Sequence, residues 1–549
     1  MNYAAMIQQK ELGYNNIFKG FFFKHPFTFV GIVLLGEMSV LFALVTPLMI
    51  RSLIDDVLLG NKTELLIPIV GVFLLIIIIS AIAIYFSGVI RGKLNILLFN
   101  ELSTTVFQSI QDTTQHDIQQ IRIGDLQSRT ISNIINITQT SVNTIPQLFI
   151  AILSIFFPLI IMFSLDPFLT LFVIIPIVLY FFSSWYFGKQ IRIYQRPVLD
   201  SSANLQSFLK DSYSYIPLIK VFNLETWNQQ RYRSVLSNYN AASLNAIKLT
   251  SLNSAVSLVI DEIPSLIVLA VGSIEYLNGS ISLGTLTAFL GYVGLFFSPI
   301  EQISMLWSNY KATQASYDRI EELLLLKKTT YGKQEVFFTP KKIEFNNVSF
   351  SYDHRKIFEN FSITFVQGNN FLIGDNGSGK TTISYLLCGI YTPNQGKILL
   401  DDQDLSTFTK EALRSMISVV FSEPMIFNGS VYENIQIGKL SASHDEIITA
   451  AKKAKLDDFI MTLPNQYNTI IGESGLSLSS GEMQKIALAR AILHDPPIII
   501  LDEFTRSIDI ESKKSILATT KKMVDKIVII ITHDRSDIDD ACNIVTLDR

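Results

Sequence analysis

The sequence predicts two fused parts: an all-α transmembrane domain with six spanning helices over residues 1–326, and a soluble α/β domain over 341–549, joined by a linker at 327–340. Three observations predict this division. Hydrophobic residues make up 49% of the 549-residue chain and charged residues only 17%, a low charged share for a soluble protein. The apolar residues gather in six long runs that end near residue 306. Beyond about residue 325, short β-rich runs alternate with helical patterns, the order of an α/β sheet. A chain of this length also exceeds a single core.

The six runs lie near residues 26–50, 66–88, 146–165, 168–188, 254–275 and 284–306. Each approaches the roughly 20 apolar residues that a helix needs to cross a bilayer. Asp261, Glu262 and Pro264 interrupt the fifth, and Gly291, Gly294 and Pro299 loosen the sixth. Lys10, Lys19 and Lys24 precede the first run, which is too long for a signal-peptide core and lacks a small-residue cleavage site, so it is expected to stay attached. Most lysines and arginines fall in the leading tail and in the segments 89–145 and 189–253, which places these in the cytoplasm. Leu94, Leu98, Leu102, Val106 and Ile110 recur every four residues, one stripe on a helix that continues beyond the membrane and packs within the molecule. The expected location is a multi-pass protein of the cell membrane with its soluble domain in the cytoplasm. Cys388 and Cys542 then read as buried or free thiols with no disulfide.

The linker "KKTTYGKQEVFFTPKK" opens the second domain. After the strand "NFLI" comes "GDNGSGKTT", which fits the spacing G-x-x-x-x-G-K-[ST] of a phosphate-binding loop from Gly374 to Thr381. Gly374, Asp375, Asn376, Gly377, Ser378 and Gly379 would curl backbone N–H groups round phosphates, Lys380 would add a point charge, and the Thr381 hydroxyl would ligate magnesium, with Thr382 next to it. Further on, the apolar strand Ile498 to Leu501 delivers Asp502 and Glu503 to its end. Asp502 suits a magnesium shell and Glu503 suits polarising an attacking water. A second apolar strand, "IVIIIT", ends at His533, where an imidazole would reach a γ-phosphate. The net charge of −4 lacks the basic footprint of a nucleic-acid binder.

With "LSLSSGEMQKIALARA" the chain resembles, over nearly its whole length, an ATP-binding cassette transporter of the exporter type, a half-transporter whose second part is an α/β P-loop NTPase domain. The resemblance implies that Tyr352 stacks on adenine, that Asp502 holds magnesium, that Glu503 is the catalytic base and His533 the switch histidine. Ser507 and Asp509 in "TRSID" resemble a dimer-contacting loop. Ser479, Ser480, Gly481 and Glu482, within "LSSGE", stand for the signature that caps ATP held by a second subunit, so a dimer is implied: a homodimer, with a heterodimer as the alternative. Two departures stand out. Ser480 and Glu482 replace the usual glycine and glutamine, and in "VVFSEPMIF" Ser422 stands where the family has a magnesium-reaching glutamine, with Glu423 as a candidate substitute. Residues 212–225, "SYSYIPLIKVFNLE", resemble a coupling element that docks on a nucleotide domain, and the turn near Thr113 to Ile118 is a candidate for another.

Glu37, Asp261, Glu262 and Glu301 lie in or near spans. An ionised side chain at mid-bilayer costs about 3 kcal/mol or more, so such acids face a cavity or a partner. Two readings stay open: an acidic passage for a cationic compound or basic peptide, or helix packing against Ser39, Ser257 or Ser265. The expected activity is ATP-driven export of an amphipathic compound or peptide, with ATP and Mg2+ as cofactors and membrane lipid as surroundings. A lipid flippase and an ATP-gated channel or sensor are the alternatives. The short stretch before the first span is expected to hold no peptidase domain, and the end just after "NIVTLD" is expected to leave out a regulatory tail.

Overall fold

The computed structural model describes residues 26–121, 123–335, 337–353, 355–375, 377–472, 475–504, 510–521, 523–533 and 543–547. The chain divides into two compact units: Met1–Gln108 with Ile123–Leu324, and Ser109–Arg122 with Leu325–Arg549.

Six helices of transmembrane length build the first unit among the described residues: α1 (Pro26–Leu59), α2 (Thr63–Asp112, its last four residues counted with the second unit), α3 (Ile123–Leu165), α4 (Pro167–Ser214), α5 (Glu225–Leu277) and α6 (Leu283–Leu324). At 1.5 Å per residue, the 53 residues of α5 extend about 80 Å, far more than the roughly 30 Å of a hydrocarbon core. The helices therefore run well past any membrane. Within the unit, α6 packs along α3 and α1, and α4 lies along α5. Leu44, Met162, Leu169, Phe289 and Phe296 form the core, and the Tyr292 hydroxyl donates to the Leu44 carbonyl at 2.6 Å.

The residues that seemed to weaken the last two spans do not break them. Pro264 sits buried inside α5, and Pro299 lies inside α6. Neighbouring helices and local adjustments take up the backbone groups that proline frees. Gly291 has a packing role, since a Cβ there would lie 3.0 Å from the ring of Pro47 in α1. About two turns further along α1, Asp55 accepts from the Gly284 N–H at 2.8 Å and from the Ser282 hydroxyl, which ties the end of α1 to the start of α6. Leu94, Leu98, Leu102 and Val106 are buried on α2, as ordinary packing requires.

The second unit holds β1 (Lys342–Tyr352), β2 (Arg355–Val366), β3 (Gly368–Gly374), β4 (Gln395–Leu400), β5 (Gln403–Asp404), β6 (Ile417–Val420), β7 (Gly429–Ser430), β8 (Ile470–Ile471), β9 (Ile498–Asp502), β10 (Ile527–Ile531) and β11 (Asn543–Leu547). One sheet runs β2-β1-β4-β5, and a parallel sheet runs β11-β3-β10-β9-β6. All five residues of β9 and all five of β10 are buried, which explains their unbroken apolar sequences: a parallel strand covered on both faces has no polar side to show. Ile531 pairs with both Leu372 and Asp502, so the C-terminal ends of β3, β9 and β10 are level. That edge is where open α/β sheets bind their ligands.

Candidate functional site

The loop after β3 turns into helix α7 (Lys380–Leu387) through two glycines in the left-handed region, Gly377 at φ +82° and Gly379 at φ +101°. A Cβ on Gly379 would lie 2.7 Å from Ile357 and from the Phe358 ring, so the close approach admits glycine alone. Lys380 donates to the carbonyls of Gly374 at 2.6 Å and Asp375 at 2.9 Å. Burial lowers its ammonium below the usual lysine range. The hydroxyl of Ser378 is buried with no protein partner, a donor available to a phosphate.

The level strand ends bring the predicted residues together. Thr381 donates its hydroxyl to Asp502 at 2.9 Å. Asp502 is buried, and burial raises its carboxyl, with the Thr381 hydrogen bond acting in the opposite sense. Glu503, one residue on, has a left-handed backbone at φ +46°, held by its N–H donating to the Ile531 carbonyl at 3.0 Å. Its carboxylate meets His533 Nε2 at 2.6 Å. A hydroxyl and one carboxylate at this spacing form the donor set that magnesium takes when phosphate and water fill the rest of its shell. The Tyr352 hydroxyl lies 3.2 Å from that of Thr382, which sets the ring beside the first turn of α7. Its edges meet Phe350 and Tyr391.

Ser422 and Glu423 lie exposed in the loop after β6. Tyr385 marks how near that loop comes: its phenol is raised first by burial and then by the negative charges of Asp502 and Glu423. Ser479 and Ser480 are exposed at the start of α8 (Ser480–His494). Here the altered signature proves to be a capping box: the Glu482 carboxylate accepts from the Ser479 N–H at 2.7 Å, and the Ser479 hydroxyl accepts from the Glu482 N–H at 3.4 Å. The pattern S-x-x-E in the sequence carries that signal. Asn376, Ser507, Asp509 and Cys542 lie outside the described residues, as does the side chain of Glu301. Cys388 is a free thiol whose burial pushes it up to about 12. Among the acids of the spans, Glu37 is buried in α1, Asp261 is half-buried and Glu262 exposed, both in α5.

The second unit includes one element that sequence reasoning placed only loosely. The short helix Gln115–Gln119, capped by Thr114, meets the strand end that carries Tyr352. His116 Nε2 lies 3.2 Å from Asp353, Gln120 donates to Asp353 at 3.3 Å, and the Tyr391 hydroxyl donates to Gln119 at 2.8 Å. A cavity of about 300 Å³ lies between, lined by Thr114, His116, Lys327 and Asn394 among others. No local pattern links Gln119 to a tyrosine 272 positions away.

Comparison with known proteins agrees with this geometry. Residues 358–506 match the family described as ABC transporter, and residues 27–300 match the ABC transporter transmembrane region. A Bacillus subtilis (strain 168) protein that carries the provisional name multidrug export ATP-binding/permease protein YgaD is 30% identical over 415 residues, 74% of this chain and 72% of that one. A Staphylococcus aureus (strain NCTC 8325 / PS 47) protein with the same provisional description is 30% identical over 404 residues, 72% of this chain and 70% of its own. A solved structure of a bacterial Atm1-family ABC exporter with ATP bound superposes with a TM-score of 0.81, covering 96% of this chain and 94% of that one at 22% identity, a likeness of fold. A transmembrane region and an ATP-binding region in one polypeptide, each matched, place the chain in the ABC transporter family, as a membrane protein that hydrolyses ATP to drive transport.

Proposed function

We propose that the chain works as a half-transporter of the cell membrane that exports an amphipathic compound or peptide, with residues 1–326 as the membrane domain, 327–340 as the linker and 341–549 as the ATP-binding domain. The observation that carries this reading is the convergence of Lys380, Thr381, Asp502, Glu503 and His533 on three level strand ends. The relatives named for multidrug export support the direction of transport.

In this mechanism Tyr352 stacks on adenine, and the backbone N–H groups from Gly374 to Thr382 with Lys380 and Ser378 bind the phosphates. Thr381 and Asp502 would hold Mg2+, which neutralises charge developing on the transferred phosphoryl group. Glu503 accepts a proton from the attacking water, and His533, hydrogen-bonded to it, orients the carboxylate and reaches toward the γ-phosphate. Ser479 and Gly481 of a second copy cap the same ATP, so the working form is a dimer, a homodimer in our reading because one chain carries a complete set. Nucleotide-driven closure of two such domains moves rigid helices and opens the passage on the far side. The helix Gln115–Gln119 carries part of that motion, and the exposed apolar residues Tyr215, Ile216, Val221 and Phe222 form a second docking element.

The test is an ATPase and vesicle-uptake assay on purified protein in nanodiscs and inverted vesicles. Glu503→Gln is expected to lower turnover at least 100-fold while ATP still binds. Normal turnover in that variant would remove Glu503 from its role, and ATP hydrolysis without uptake of any amphiphile would overturn export.

A further inference from the structure

Inside the first unit, Glu37 is buried, and neither of its carboxylate oxygens has a hydrogen-bond partner. The Nε of Arg91 is buried and unpartnered as well, and so are the hydroxyl of Ser87 and the amide oxygen of Asn95. Ser87, Arg91 and Asn95 are spaced four apart on α2, which sets them on one face. From that face Arg91 reaches α1 at the residue before Glu37: a Cβ on Gly36 would lie 3.5 Å from Arg91 Nη2. The same Cβ would collide with Ile150 of α3, so Gly36 is what lets α3 pack closely against α1 beside the guanidinium.

A buried carboxylate and a buried guanidinium at one level would ordinarily satisfy each other, because leaving either alone is costly. Here both keep polar atoms unspent, and two neutral polar groups beside them do the same. The level also matters. Arg91 follows directly on the apolar run at 66–88 and Glu37 lies within the run at 26–50, so both belong to spanning helices, where a charge without a partner calls for one.

We propose that Glu37 and Arg91, with Ser87 and Asn95, form a subsite for a zwitterionic headgroup whose apolar tail lies in the membrane. An ammonium donates to Glu37, Asn95 and Ser87, and an adjacent phosphate or carboxylate accepts from Arg91. This deepens the export reading and rests on it. It also departs from a purely acidic passage, since Arg91 would repel a simple cation.

The experiment uses three amphiphiles with the same tail, dodecylammonium, dodecyl phosphate and dodecylphosphoethanolamine, below their micelle concentrations, with the full-length protein in phosphatidylglycerol nanodiscs. The expected result is that the zwitterion stimulates ATPase at a concentration at least tenfold lower than either single-charge amphiphile. Glu37→Gln should raise the half-stimulating concentration of the zwitterion and of dodecylammonium, leaving dodecyl phosphate where it was. Arg91→Gln should do the converse, a crosswise pattern that misfolding cannot produce. Equal responses of the wild type to all three, or variants that shift all three alike, would overturn the subsite alone. No response to any of them, with no uptake, would overturn export and the subsite together. In nanodiscs containing phosphatidylethanolamine, a raised ATPase rate that both variants lower would support the subsite and assign the headgroup to a bilayer lipid.

Discussion

Gly379 and Glu503 both hold left-handed backbone at the nucleotide edge, yet for different reasons. Gly379 is there because nothing else fits, with Ile357 and Phe358 where a Cβ would go. Gly379→Ala should therefore combine a backbone cost of about 1–2 kcal/mol with an overpacking cost of about 1–3 kcal/mol. The expected outcome is a lower melting temperature and at least tenfold weaker ATP binding, read by thermal unfolding and by titration with a fluorescent ATP analogue. Glu503 accepts strain that a glycine would not, and such strain gathers where a side chain must be aimed. Its carboxylate is aimed at His533. Because the two act as a unit, His533→Ala added to Glu503→Gln should lower turnover by much less than His533→Ala does alone. Full additivity in single-turnover measurements would separate the two residues. These positions were legible in the sequence because spacing and strand ends announce them. The unpartnered Ser378 hydroxyl was not, since burial is a property of the folded loop.

Elements were legible where one pattern sufficed. The apolar runs foretold all six long helices, and the apolar runs Ile498–Leu501 and Ile527–Ile531 foretold the strands β9 and β10. Where two effects compete, the sequence signal only weakens: Pro264 interrupts the fifth run and Pro299 loosens the sixth, and packing against neighbours carries α5 and α6 through them. The start of α8 is similar. Set against a family pattern, Glu482 reads as a loss; as the third residue of a helix it is half of a capping box with Ser479. Ser479→Ala should cost about 1 kcal/mol, whereas Glu482→Gln, which can still accept from the Ser479 N–H, should leave the melting temperature nearly unchanged. Thermal unfolding of the two variants side by side checks this. Equal losses would mean that the carboxylate charge at the helix N-terminus stabilises this turn as much as the Ser479 cap does.

At the scale of the whole molecule, what the sequence hides is contact between distant segments. Residues 109–122 belong to the ATP-binding unit, through Gln119 on Tyr391 and His116 on Asp353, although the first four of them are the last turn of a spanning helix. Spatial neighbours this far apart in sequence leave no periodicity to read. The same scale holds the dimer, because Ser479 and Ser480 are exposed on their own copy and are expected to meet phosphate only on another. If two ATP sites are each completed by the partner's signature and close together, blocking hydrolysis at one must hold the other shut. In dimers assembled from one wild-type chain and one Glu503→Gln chain, separated by different affinity tags, turnover should then fall well below half of the wild-type rate. Independent sites would give close to half. A rate at that midpoint, with ATP trapped on the mutant chain only, would mean that each domain opens and closes without its partner.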